Sequence, residues 1–133
     1  MEYVKIGNKN YDVIVTKLSE DFNILYSENT GRTMSKGARM TLDPLGTFFG
    51  HKVTFRRKPG KETEYDSLFD FVSVPRYGGI PVEIAHNQTT IKYDAYISTG
   101  ERALKRIDPQ SNKVYWDEFS LNIVPMEAQV LPE

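Results

Sequence analysis

One segment of the chain, residues 62–74, has clear helical periodicity and lies among short segments in which apolar and polar residues alternate. Its apolar residues recur at helical spacing and form a single face: Tyr65, Leu68, Phe69 and Val72. Thr63 followed by Asp66 resembles a capping box, and Pro75 prevents the helix from continuing. A lone helix between strand segments predicts a mainly β fold, either a β-sandwich or a barrel-like sheet, with one packed helix at about 63–74.

The composition fits one domain without cysteine and with nearly balanced charge. A chain of 133 residues has the size of a single domain, so we expect residues 1–133 to form one β-rich domain. The net charge of −1 gives no overall field that favours nucleic acid or an anionic membrane. The N-terminus does not resemble a secretory signal, and no apolar run is long enough to span a membrane. Together with the absence of cysteine, this predicts a cytoplasmic protein.

Alternating apolar residues predict two hairpins. Residues 4–15 alternate on both sides of the turn residues 7–10, which predicts an N-terminal hairpin. Residues 80–97 alternate around a turn at 86–89 and carry the stronger signal of the two.

Two other segments are predicted strands. In residues 51–58, Val53 and Phe55 face inward between basic neighbours. Residues 114–123 alternate as well, and Pro125 ends that strand. The sheet is therefore expected to contain strands from both halves of the chain.

Three segments lack periodicity. Residues 27–37 are polar and contain glycine, which predicts an extended loop, longer than a plain connection requires. Residues 43–46, Asp-Pro-Leu-Gly, predict a turn. Residues 126–133 are predicted to form a C-terminal tail that lies on a neighbouring molecule.

The sequence contains no convincing catalytic or metal-binding pattern. Its two histidines, His51 at a strand start and His86 at a turn, lack both a nucleophile-elbow serine and metal-ligand spacing. A triad of Ser98, His86 and Asp94 on adjacent strands is conceivable, but polar residues in hairpins are usually solvated. We therefore interpret both histidines as turn or surface residues and expect no catalytic, cofactor-binding or metal-binding residue and no cofactor.

The strongest basic cluster lies in the segment 52–58. A basic strand with an exposed aromatic residue can bind single-stranded nucleic acid, which makes a small binding module for oligonucleotide or carbohydrate an alternative function. Phe55, however, shares strand parity with Val53 and is therefore predicted to lie in the core. The charges then form an ordinary outer face, or they protect a sheet edge.

Several residues outside the predicted core favour assembly. Tyr96 points away from the face that carries Tyr93, and Tyr115 points to the opposite face of its strand from Trp116. Tyrosine is favoured at protein interfaces, although a loop or helix of the same chain could also cover these rings. With the extended loop and the tail, they give the candidate contact residues Tyr96, Tyr115, Arg32, Met34, Val130 and Leu131.

Several stretches resemble small tail structural proteins of bacteriophages and prophages of Gram-positive hosts. These stretches are Leu68-Phe69-Asp70-Phe71-Val72-Ser73-Val74-Pro75, Val82-Glu83-Ile84-Ala85-His86-Asn87, Tyr93-Asp94-Ala95-Tyr96-Ile97-Ser98-Thr99-Gly100 and residues 115–127. The order of strands, one helix, a hairpin and a final strand is similar to the tail-tube and distal-tail-protein architecture. The resemblance covers roughly residues 50–130. The chain is too short for the second, carbohydrate-module-like domain that distal tail proteins often carry.

This resemblance implies a structural role. Such proteins form rings, often of six copies, around a central channel, and they dock to other tail proteins without catalysing a reaction. In them the sheet lines the channel, the helix packs outside, and long loops clasp the next subunit or ring. For this chain it implies residues 27–37 and 126–133 as clasps, and nucleic acid only as a passenger in the channel. It also implies assembly in the bacterial host cytoplasm and a final location in the virion tail.

Overall fold

The computed structural model describes residues 4–133, so the first three residues of the predicted domain, which also begin the segment compared with a secretory signal, lie outside it. The fold is mainly β with one helix, as predicted. In chain order the elements are β1 (Val4–Ile6), β2 (Ile14–Tyr26), β3 (Gly31–Arg32), β4 (Met40–Thr41), β5 (Pro44–Arg56), α1 (Glu62–Val72), β6 (Ile80–His86), β7 (Thr89–Tyr96), β8 (Gly100–Ile107) and β9 (Val114–Pro125). No helix among residues 4–133 has the length and apolarity needed to cross a bilayer.

Seven strands form one curled antiparallel sheet in the order β1-β6-β7-β9-β5-β2, and β8 also pairs with β9. Strand β9 connects two halves of this sheet. Its residues 119–123 pair with β5, residues 124–125 pair with β7, and residues 114–121 pair with β8. The strands β2-β5-β9-β8 make up what we call the four-stranded half, and β1-β6-β7 make up the other half.

Helix α1 packs on one face of the curled sheet. It buries Tyr65, Leu68 and Val72, in agreement with the predicted apolar face. The predicted capping box was wrong: the N-cap residue is Lys61, with no side-chain capping bond, and the helix ends at Val72, before Pro75. Instead, two glutamates in the first turn place negative charge near the positive end of the helix dipole, which stabilises the helix.

The core lies between α1 and both halves of the sheet. Phe119 packs there against two rings, with centroid distances of 5.3 Å to Phe55 and 5.1 Å to Tyr65, the latter in an edge-to-face arrangement. The hydroxyl of Tyr65 donates to the carbonyl oxygen of Asp117, so this buried phenol has a partner. The other buried apolar residues are Ile6, Val53, Leu68, Val72, Ile80, Val82, Ile84, Ala95, Leu121 and Ile123.

The predicted N-terminal hairpin was wrong, whereas the β6–β7 hairpin was predicted correctly. Strand β1 pairs with β6, and β2 pairs with β5 instead of folding back on β1. Gly7 turns the chain with φ +64°, and a Cβ at this position would lie 2.4 Å from the ring of Phe71. This turn directs the chain away from β1, and β6, the second strand from this edge of the sheet, becomes the partner of β1, in which Ile6 is buried.

Strands β2 and β5 are 13 residues long each and form an extended hairpin. Only residues 51–55 of β5 pair with β9, so residues 21–50, which we call the arm, continue beyond the β5–β9 pairing. The predicted loop 27–37 contains β3, which pairs with β4 near the tip of the arm. The turn predicted at 43–46 was wrong, because β5 begins at Pro44.

Candidate functional site

The arm carries a long series of exposed apolar side chains. Phe22 is 69% exposed, and Met34, a predicted contact residue near the tip, is fully exposed. The remaining exposed apolar residues of the arm are Ile24, Leu25, Tyr26, Met40, Leu42 and Leu45. Arg32 is exposed as well, and its guanidinium donates to the carbonyl oxygen of Ala38 at 3.3 Å. Such a concentration of apolar surface on one projecting element is typical of an interaction site.

Part of the predicted C-terminal tail lies on the arm of its own chain. The N–H of Thr47 donates to the carbonyl oxygen of Val130 at 2.9 Å. The side chain of Gln129 accepts from the N–H of Phe49 at 3.0 Å and donates to its carbonyl oxygen at 3.3 Å. The tail therefore borders β5 beyond the end of its pairing with β9. Val130 and Leu131 stay exposed and enlarge the apolar surface of the arm.

A groove of about 700 Å³ lies where the arm leaves the body. Its wall includes the predicted contact residue Tyr96, together with Leu25, Phe48 and Met126. Tyr96 is 47% exposed there, so its ring is available to a neighbouring molecule.

The four-stranded half has two free lateral edges within the described residues, one along β2 and one along β8. Strand β2 carries one basic residue, Lys17, and two acidic residues, Glu20 and Asp21, so its net charge is negative. Strand β8 carries one acidic residue, Glu101, and three basic residues, so its net charge is positive. The basic residues are Arg102, Lys105 and Arg106. The two edges thus have opposite net charge.

A chain of hydrogen bonds joins the base of the arm to the β6–β7 hairpin. Glu20 Oε2 lies 2.8 Å from His51 Nε2 and 2.8 Å from His86 Nδ1. On the other side of the His51 ring, Nδ1 lies 2.7 Å from the hydroxyl of Tyr93. A neutral His51 that donates from Nε2 and accepts at Nδ1 satisfies all four side chains, a tautomer that we assign from the partners. The ring of Phe49 also packs on His86, with 4.8 Å between centroids.

The electrostatics of this cluster favour an ionised Glu20 and a neutral Tyr93. Burial raises the pKa of Glu20, but the hydrogen bonds from His86 and His51 outweigh this effect, and the net pKa is lowered. Burial, with smaller contributions from the carboxylates of Glu20 and Asp21, raises the pKa of the Tyr93 hydroxyl. Each of these groups therefore has its hydrogen-bond partner within the cluster. This arrangement suits a structural tie between strands better than proton transfer.

The interpretation of His51 as a turn or surface residue was wrong, since its ring is buried. Its partner Glu20 is directly opposite in the β2–β5 register, a pairing that sequence periodicity could not reveal. His86 does lie at a turn, but its carboxylate partner is Glu20 and not Asp94 of the conceivable triad. Within residues 4–133, no group of three or more histidine and carboxylate side chains is arranged to hold a metal ion.

Tyr115, the remaining predicted contact residue, is partly covered by cationic side chains of its own chain. The guanidinium carbons of Arg106 and Arg57 lie 4.2 and 4.7 Å from its ring centroid. Lys113 Nζ lies at 5.5 Å. Tyr115 is on the other end of the four-stranded half from the arm, so the structure does not bring all predicted contact residues together.

The chain was also compared with known proteins. No protein-family model matches it, and no curated protein matches it.

Proposed function

We propose that this protein is a structural component of a phage or prophage tail, in the tube, the distal tail or a baseplate adaptor. It would act by forming rings with copies of itself and by docking to other tail proteins, and it would have no catalytic role. The observation that carries this proposal is the four-stranded half, which has a free edge on each side and a projecting apolar arm.

Two free edges on one sheet favour pairing between copies. An unpaired edge presents N–H and C=O groups to any complementary strand, and natural proteins usually cover or pair such edges. The acidic β2 of one copy is complementary to the basic β8 of the next, whereas β2–β2 and β8–β8 contacts would bring like charges together. A repeated β2–β8 contact is head-to-tail, and such contacts close into rings when the rotation permits.

The size and polarity of such a ring suit a channel. Six copies with four strands each would give a barrel of about 24 strands, roughly 50 Å across at the backbone for ordinary strand spacing and tilt. The face of this sheet opposite α1 carries polar cross-strand rows, Ser19–Lys52–Asn122 and Lys17–Thr54–Ser120. In the second row the hydroxyls of Thr54 and Ser120 lie 2.9 Å apart. A polar inner wall keeps the channel hydrated, so nucleic acid could pass without a specific site.

The arm gives the proposed ring a second contact. Its apolar side chains lie beyond the end of the β5–β9 pairing, where a neighbouring copy or the adjacent ring would cover them. Burial of one large apolar side chain contributes about 1.5–3 kcal/mol, so several of them contribute appreciably to assembly.

The alternative of a binding module built on residues 52–58 is less well supported. Phe55 is buried, so it offers no stacking surface to a base or a sugar. Lys58 is also paired with Asp12 at 3.0 Å.

Sedimentation velocity of the full chain over a concentration series, combined with negative-stain imaging, tests the proposal. We expect rings or short tubes, and we expect Phe22→Ser to weaken self-association by about tenfold or more because it removes an exposed apolar contact. The matched control is Val74→Ser, which changes an exposed apolar residue outside the arm. A wild-type chain that is monomeric at every concentration, or equal effects of both variants, would contradict the proposal.

A further inference from the structure

Three cationic side chains from separate parts of the chain converge on the ring of Tyr115. Arg57 follows β5, Arg106 is in β8, and Lys113 lies in the turn before β9. All three are within 5.5 Å of one ring centroid. The two guanidinium groups are therefore closer to each other than the Debye length of about 10 Å in 0.1 M salt, and solvent screens their repulsion only in part.

The ring offsets part of this repulsion by cation–π attraction, and carboxylates neutralise only part of the charge of the group. Lys113 pairs with Glu62 at 3.5 Å. Within residues 4–133, neither guanidinium has a carboxylate at ion-pair distance. The carboxylate of Asp108 accepts the N–H of Gln110, and this bond, more than the charge of Arg106, lowers the pKa of Asp108.

Within the described part of the chain, the terminal nitrogens of both guanidinium groups donate no hydrogen bond to the protein, so they can bind a ligand. Arg57 uses Nε to donate to the carbonyl oxygen of Trp116 at 3.2 Å, which fixes its orientation and leaves its terminal nitrogens available. Arg106 is exposed and lies against Tyr115. A guanidinium group matches the oxygens of a phosphate, because it presents two parallel donors to two oxygens.

We infer that Arg57, Arg106 and Lys113 form a binding site for a phosphate group, positioned by the ring of Tyr115. The phosphate could belong to a nucleic-acid backbone or be free phosphate, since the same donors bind both. The site belongs to the single chain and does not depend on ring formation. It also differs from the strand 52–58 considered as a binding face, because its aromatic residue is on β9 and two of its cations lie outside that segment.

The test measures binding of two probes to the full-length chain. Equilibrium dialysis follows inorganic phosphate, and filter binding follows a labelled single-stranded oligonucleotide of about 12 nucleotides. We expect Arg106→Gln and Tyr115→Leu each to weaken phosphate binding by about fivefold or more. The matched control Lys105→Gln removes the same charge from the neighbouring position of β8 and should change binding by less than about twofold.

The two probes separate the two sources of phosphate. A nucleic-acid ligand predicts tighter binding of the oligonucleotide, with a slope of log affinity against log salt of about −2 for three cationic contacts. A free-phosphate site predicts an oligonucleotide affinity no greater than that of inorganic phosphate. Equal losses in Lys105→Gln and Arg106→Gln would overturn the inference, because they would indicate diffuse charge. Absence of binding to both probes, at about 10 mM phosphate and about 100 µM oligonucleotide, would overturn it too.

Discussion

Glu20 and His51 are directly opposite each other on β2 and β5, and Glu20 Oε2 accepts a hydrogen bond of 2.8 Å from Nε2 of the buried His51 ring. The same oxygen accepts a bond from His86, so one carboxylate ties the base of the arm to both β5 and the β6–β7 hairpin. We therefore expect this carboxylate to influence stability more than its position on an edge strand suggests.

The first prediction concerns pH. The pKa of Glu20 in the folded state lies below the usual 4.5 because the bonds from His86 and His51 outweigh the effect of burial. A lowered folded-state pKa means that the ionised carboxylate stabilises the fold above about pH 4.5 and that this contribution is lost as the pH falls through the folded-state value. Urea denaturation between about pH 3 and pH 7 should show a steeper acid loss in wild type than in Glu20→Gln. Glu118→Gln, at an exposed position, should retain the wild-type pH profile.

A second prediction concerns His51. His51→Leu removes one hydrogen-bond partner from the hydroxyl of Tyr93 and one from the carboxylate of Glu20. We therefore expect a loss of about 2–4 kcal/mol in the free energy of unfolding. Denaturant titration at pH 7 measures it. Tyr77→Leu, at a fully exposed position, should change stability by no more than about 0.5 kcal/mol. A His51→Leu protein as stable as wild type would show that the hydrogen-bonded chain is not a structural tie.

A third prediction concerns the tail. A Cβ at Gly46 would lie 2.5 Å from the Cβ of Ala128 and 3.1 Å from the carbonyl oxygen of Val130, so Gly46→Ala should displace the tail from the arm. Hydrogen exchange at the amides of Thr47 and Gln129 should accelerate by about tenfold or more. Gly31→Ala is the control, because a Cβ there meets nothing within 4 Å. Unchanged exchange in Gly46→Ala would mean that the tail can shift without losing its bonds.

A fourth prediction concerns the charge of the β2 edge. Asp21→Lys makes β2 basic like β8, so we expect self-association to weaken by about fivefold to tenfold at low salt and by less at high salt. Sedimentation velocity at two salt concentrations measures the change. Asp70→Lys introduces the same charge change on the exposed surface of α1 and should leave association unaltered. A similar decrease in both variants would indicate a general charge effect and would contradict β2–β8 pairing.

The elements that sequence analysis predicted correctly are those whose signal is local. The face of α1 and the β6–β7 hairpin both depend on residues close together in the chain, where periodicity and turn residues suffice. The N-terminal hairpin failed because the partner of β1 is β6, more than seventy residues away in the chain. The His51–Glu20 pair likewise depends on a register between distant strands, and no single-sequence pattern encodes it.

Some outcomes reflect competition between local and tertiary preferences. Pro44 favours a turn, yet it is tolerated at the first position of β5, where no ladder bond requires its missing N–H. The exposed apolar residues of β2 alternate only in part, so their position on a projecting hairpin could not be predicted from periodicity.

Because β9 pairs with strands of both halves of the sheet, a pull applied to the arm would be transmitted from β5 into β9 through the five residue pairs from His51–Ile123 to Phe55–Phe119. A force directed along these antiparallel strands loads their backbone hydrogen bonds in shear. The bonds therefore carry the force together and do not break one after another. The hairpin that reaches outward is thus anchored in a strand pairing that resists tension in shear, and we expect tension to detach the short β3–β4 tip before it disturbs the packing beneath α1.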